Sequence, residues 1–140
     1  MTQFMMMVIP AGYESAEPGT LPDLDAVNTM AKYNAELEQA GILRGLNGLH
    51  PPSMGARVSF PGGNPKVQDG PFPEAKEVIG GYWLIEVGSL QEAIDWATRV
   101  PPVEDFTIEV RQVQGLEDFP PEVAEAATEY ERQRHAGERK

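Results

Sequence analysis

The sequence predicts an α+β domain built on an antiparallel sheet, and three observations carry that reading. Segments of strand length, the apolar run Phe4 to Ile9 and the alternating Tyr82 to Val87 and Phe106 to Arg111 among them, are separated by segments with helical spacing. Two of those helical segments open on residues that cap helices, Asp23 and Ser89. Glycine and proline clusters punctuate the chain between them.

Each element follows from local chemistry. Phe4 to Ile9 is apolar at every position, so it reads as a strand with both faces covered, closed by Pro10 and Gly12. Ala11 to Pro22 reads as a loop. Asp23 then caps a helix from Leu24 to Ala40, in which Ala26, Met30, Tyr33, Leu37 and Ala40 make one buried stripe. Gly41 supplies the left-handed residue that ends it.

Ile42 to Leu49 is extended or irregular, and His50-Pro51-Pro52-Ser53 breaks it, because each proline lacks a donor and restricts its predecessor. Ala56 to Phe60 is a strand. Pro61 to Pro65 turns the chain, and Lys66 to Gln68 returns antiparallel. In Tyr82 to Val87, Trp83, Ile85 and Val87 alternate with Tyr82, Leu84 and Glu86, giving one apolar face and one mixed face.

Ser89-Leu90-Gln91-Glu92 has the pattern of a reciprocal capping box, and the helix it starts must stop by Val100, ahead of Pro101-Pro102. Phe106 to Arg111 is the last strand. Pro121 to about Arg134 forms a terminal amphipathic helix, expected to fray after Ala136. The resulting order of strand, helix, hairpin, strand, helix and strand is that of a ferredoxin-like split βαβ arrangement with an extra C-terminal helix. Both main helices then cover one sheet face, and a second subunit would cover the other.

Size and charge bound the function. A chain of 140 residues makes one domain with a real core and carries a net charge of -11, from 11 basic and 22 acidic side chains. That charge repels a phosphate backbone, so nucleic acid is not an expected partner. The absence of cysteine excludes disulfides and thiolate chemistry and fits a cytoplasmic location. Met1 to Pro10 is too short and lacks the basic flank for a leader or membrane span, so no membrane association is expected.

One stretch is more specific than composition. Asp69-Gly70-Pro71-Phe72-Pro73-Glu74-Ala75-Lys76-Glu77 joins a rigid polar turn to Gly80-Gly81-Tyr82-Trp83-Leu84-Ile85-Glu86-Val87. Together with Gly48-Leu49-His50-Pro51-Pro52-Ser53 and the closing Glu109-Val110-Arg111-Gln112-Val113, it resembles the DGPF-domain branch of the YCII-related family. The resemblance covers residues 1–113 and leaves 114–140 as a C-terminal helical extension. It implies a dimeric α/β barrel, in which two sheets face each other around a cavity, and a biochemical role that is largely unassigned. Related members carry a His and Asp pair proposed as catalytic, and some are encoded near alternative sigma factors. Here Pro73 and Ala75 stand where many relatives carry Ala and Thr, so no hydroxyl is present at 75.

The candidate catalytic pair is His50 and Asp69: a carboxylate orienting an imidazole makes a general base. The competing reading has His50 capping a proline-rich turn and Asp69 bonding its own backbone. Lys76, Glu74 and Glu77 add charge beside Asp69 and could bind a polar ligand, or form screened surface pairs. Tyr82, Glu86, Glu109 and Arg111 fall on the face away from the helices, where they would line a cavity or cross a dimer seam, with Arg111 pairing Glu86 or Glu109.

No cofactor is expected, because the chain holds no phosphate-cradling glycine loop and no serine nucleophile elbow. No metal is expected either, since His50 and His135 are its only imidazoles. Two functional classes follow. One is a homodimer that binds a small ligand in a sheet-lined cleft, with proton transfer by His50 and Asp69 as its chemistry if it turns over. The other is a non-catalytic interaction module whose acidic body meets a protein partner in transcription.

Overall fold

Residues 1–138 are described by a computed structural model. Four strands make the main sheet: β1 (Thr2–Pro10), β2 (Leu43–Gly48), β5 (Gly81–Val87) and β6 (Phe106–Gln112), in the order β2-β5-β1-β6. Every neighbouring pair is antiparallel. A separate hairpin pairs β3 (Ala56–Ser59) with β4 (Lys66–Asp69). The helices are α1 (Leu24–Gln39), α2 (Leu90–Thr98) and α3 (Pro121–Glu138). The protein is therefore a mixed α+β fold with an antiparallel sheet, and none of the described helices is long and apolar enough to cross a membrane.

The core forms between one sheet face and α1 with α2. Phe4 and Met6 of β1, Trp83, Ile85 and Val87 of β5, and Tyr33, Leu37 and Ala93 of the helices are all buried in one cluster. Removing each large side chain from water contributes roughly 1.5–3 kcal/mol. Tyr33 organises the centre: its hydroxyl donates to the Trp96 carbonyl at 2.7 Å, and its ring meets Trp83 edge-on at 5.4 Å. Burial, with Glu36 adding and Arg99 opposing, holds its phenol above the ordinary tyrosine range.

Local signals perform as their chemistry requires, with instructive departures. Asp23 caps α1 by accepting from the Ala26 N–H at 2.8 Å, and Gly41 takes φ 74° after the helix. Ser89 accepts from the Glu92 N–H, but the Glu92 carboxylate reaches the Gly88 N–H at 3.1 Å instead of that of Ser89. The capping box is thus shifted by one residue on its return arm. The segment read as extended or irregular is β2, with a bulge between Leu43 and Gly45. The terminal helix is described to Glu138, and the expected fraying at the end of the chain lies outside the described residues.

Alternation puts Met5, Met7, Tyr82, Leu84, Glu86, Glu109 and Arg111 on the face opposite the core. Met7 is buried there, whereas Met5 and Leu84 are half-buried. The expected pairing of Arg111 with Glu86 does not form. Strand β1 lies between β5 and β6, which separates the two side chains by two strand spacings. Glu86 instead pairs with Arg44 at 2.9 Å, the residue that the β2 bulge re-aims.

Candidate functional site

A cavity of about 440 Å³ opens at the end of the sheet where β1 leaves and β5 begins. Its apolar wall comes from Val8, Leu46 and Trp83 of the sheet and Met30 of α1. Four chain segments build its mouth, and each is tied in place. Gly12, at φ 79°, turns the chain after β1 into a short 3-10 turn that begins at Tyr13. The Tyr13 hydroxyl donates to the Leu49 carbonyl at 2.5 Å, and the Leu49 N–H donates to the Gly80 carbonyl at 2.9 Å. The Ala11 N–H donates to the Asp105 carbonyl at 2.9 Å, which anchors the loop carrying Glu104.

Close approach requires Gly80, just before β5, and Gly81, its first residue. A β-carbon at Gly80 would lie 2.7 Å from the Pro10 ring, and one at Gly81 would lie 3.0 Å from the Asn47 carbonyl oxygen. The polar groups that line the cavity include His50, Tyr13, Asn34 and Glu104. Asn34 accepts from the Trp83 indole N–H at 2.7 Å through Oδ1, so its amide N–H groups remain as donors. Burial, and secondarily the Glu104 carboxylate, raise the Tyr13 phenol above its ordinary value.

The residues singled out in the sequence fall in three places. His50 lines the cavity, exposed just past β2, whereas Tyr82 borders it from β5 but belongs by alternation to the opposite sheet face, where its hydroxyl accepts from the Asn47 amide at 3.0 Å. Asp69 ends β4 opposite Ala56 and is exposed, and it is not among the lining residues. Lys76 and Glu77 are exposed in the stretch leading to β5. Glu86, Glu109 and Arg111 lie on the sheet face remote from the helices, outside the cavity lining.

The Asp-Gly-Pro-Phe turn has a packing role of its own. A β-carbon at Gly70 would sit 1.6 Å from the Pro52 carbonyl oxygen, and the Gly70 N–H donates to the Gly55 carbonyl at 2.9 Å. Phe72 is buried, with the Arg57 guanidinium 4.1 Å above its ring. The β3–β4 hairpin is thereby clamped against the Pro52–Met54 turn that follows His50. Gly70 is needed there because only a residue without a side chain can touch Pro52 so closely.

Tyr13, Asn34 and Glu104 went unnoticed in the sequence. Asn34 carried a weak signal, as a polar residue directly after Tyr33 of the buried stripe. Glu104 had none, since its loop meets Tyr13 only through pairing of β1 with β6.

These features define an α+β protein with a half-open, mostly apolar cavity at one end of an antiparallel sheet. Comparison with known families is consistent with that class: a model described as the YCII-related domain matches residues 5–117. The chain belongs to the YCII-related domain family. It is also 41% identical over 59 residues to an uncharacterised protein of Rhizobium meliloti (strain 1021). That match covers 42% of this chain and 48% of the relative, so the chain spans about half the length of the curated relative it matches. Helix α3 lies beyond the matched domain.

Proposed function

We propose that this protein binds a small organic molecule in the cavity between α1 and the end of the sheet. The observation that carries this reading is the cavity itself, about 440 Å³ with an apolar wall and a few convergent polar groups. That size falls within the range of small-molecule sites, roughly 300–1,000 Å³. His50 is the general base of the proposal. Asp69, its proposed orienting partner within a DGPF-type variant of the family, lies outside the lining and makes no hydrogen bond to His50 among the described residues, so that role requires the turn that rests on Pro52 to bring the two together.

The strand order β2-β5-β1-β6 supports a ferredoxin-like split βαβ reading. The apolar side chains of β1 on the outer sheet face support a homodimer, in which two such faces close into a barrel. In that assembly Tyr82, Glu86 and Arg111 stand near the seam, and Lys76 and Glu77 near its entrance. A cytoplasmic location belongs to the same proposal.

A thermal-shift screen with small acids, aromatics and amines tests ligand binding, because a compound that binds only the native state raises apparent stability. Reproducible shifts that disappear in a cavity-filling variant are expected. His50→Ala is expected to abolish any turnover found with such a ligand; unchanged turnover would remove His50 from the chemistry.

A second reading draws on the hairpin. Val58, Phe60 and Val67 are exposed on β3, β4 and their connecting turn, Phe60 by 66%. With the net charge of -11, this fits an interaction module for a protein partner in transcription. Recovery of a specific partner, lost on Phe60→Ser, with no ligand response would favour it.

A further inference from the structure

We infer that the cavity selects an organic cation: an ammonium carried on an aromatic or branched apolar body. The inference rests on the ligand-binding reading above and deepens it by assigning the chemical class.

Charge is the first argument. Glu104 is the one carboxylate among the lining residues, and no lysine or arginine joins it there. An anionic ligand would therefore enter against both a local carboxylate and a chain of net charge -11, with no fixed cation to receive it. An ammonium meets the opposite situation.

Hydrogen-bond polarity is the second argument. The Tyr13 proton is committed to the Leu49 carbonyl, which leaves the phenolic oxygen of this lining residue only as an acceptor. The Glu104 carboxylate, in the same lining, accepts as well. The Tyr13 oxygen and the Glu104 carboxylate thus supply acceptors and the one formal charge of the lining, beside the Asn34 amide donors and the His50 imidazole.

Shape supplies the third. Below the mouth, Val8, Leu46, Met30 and Trp83 make a wall suited to an apolar body. Trp83 and Tyr13 present aromatic surfaces, which attract cations through their ring quadrupoles. A ligand with an ammonium for Glu104 and a ring for Trp83 matches both the charged and the aromatic part of the lining.

Three probes of nearly equal size separate charge from shape: phenethylamine, 2-phenylethanol and 3-phenylpropionate, each titrated calorimetrically into the full chain at pH 8. Phenethylamine is expected to bind at least about fivefold more tightly than the alcohol, and the anion most weakly. Glu104→Gln, on an exposed loop, is expected to bring the amine to within about twofold of the alcohol measured on the same variant. Leu46→Trp, which fills the cavity from a partly exposed position, is expected to abolish binding of all probes.

Binding of alcohol or anion at least as tightly as the amine, or an amine preference that survives Glu104→Gln, overturns the cation assignment and leaves the cavity as a ligand site. Failure of all three probes at millimolar concentration, or binding indifferent to Leu46→Trp, overturns the cavity reading and the assignment with it.

Discussion

The two faces of the four-stranded sheet are built from the same strands but solve different problems. On the inner face, Phe4, Met6, Trp83, Ile85 and Val87 meet α1 and α2, and burial there is nearly complete. On the outer face the same strands present Met5, Met7, Tyr82 and Leu84 among Glu86, Glu109 and Arg111. Neither α1 nor α2 reaches that side. Helix α3 packs chiefly on the turn Leu116–Asp118 and contributes nothing to the core cluster. The contrast teaches that inner-face residues should govern stability at any concentration, whereas outer-face residues should govern the proposed self-association.

The largest expected effect comes from the inner face. Ile85→Ala deletes a fully buried side chain and is expected to destabilise by about 2–5 kcal/mol, independent of protein concentration, in chemical denaturation. Leu84→Glu, one residue away and on the opposite face, should leave a folded monomer while weakening self-association by at least about tenfold in sedimentation, since it buries a charge at the proposed seam. Equal loss of monomer stability in both variants would erase the distinction between the faces.

Tyr33→Phe sharpens the inner face further. Removing the hydroxyl bond to the Trp96 carbonyl should reduce stability by about 1 kcal/mol at neutral pH. It should also change the alkaline profile. Because the folded phenol lies above the unfolded value of 10.0, its contribution is complete below pH 10 and is lost as pH rises through the folded value. The variant should therefore lose stability less steeply above pH 10 than the parent in pH-dependent denaturation. The smallest effect is assigned to Arg44→Ala, whose exposed pair with Glu86 should contribute less than about 1 kcal/mol and fade in high salt.

Strand and helix positions were legible wherever the determinant was local. Asp23, Gly41 and Ser89 act on backbone groups within a few residues, so their spacing alone places the helix ends. The β2 bulge was not legible, because it depends on how Leu43 and Gly45 meet β5 across more than 35 residues of chain. The same limit applies to the site. His50 was recognisable by its chemistry, but its cavity neighbour Glu104 is set by the hydrogen bond from Ala11 to Asp105, a contact between remote segments.

By itself, the sequence determined the alternating and helical apolar patterns, the caps, the Asp-Gly-Pro-Phe turn and the acidic balance of this protein, since each arises from residues adjacent in the chain. Only the tertiary structure decided that Gly70 must touch Pro52, that Glu86 pairs with Arg44, and that Tyr13, His50 and Glu104 share one cavity. The reason is geometric: strand order and register bring distant segments to a common sheet end, and side-chain periodicity carries no record of which segments those are.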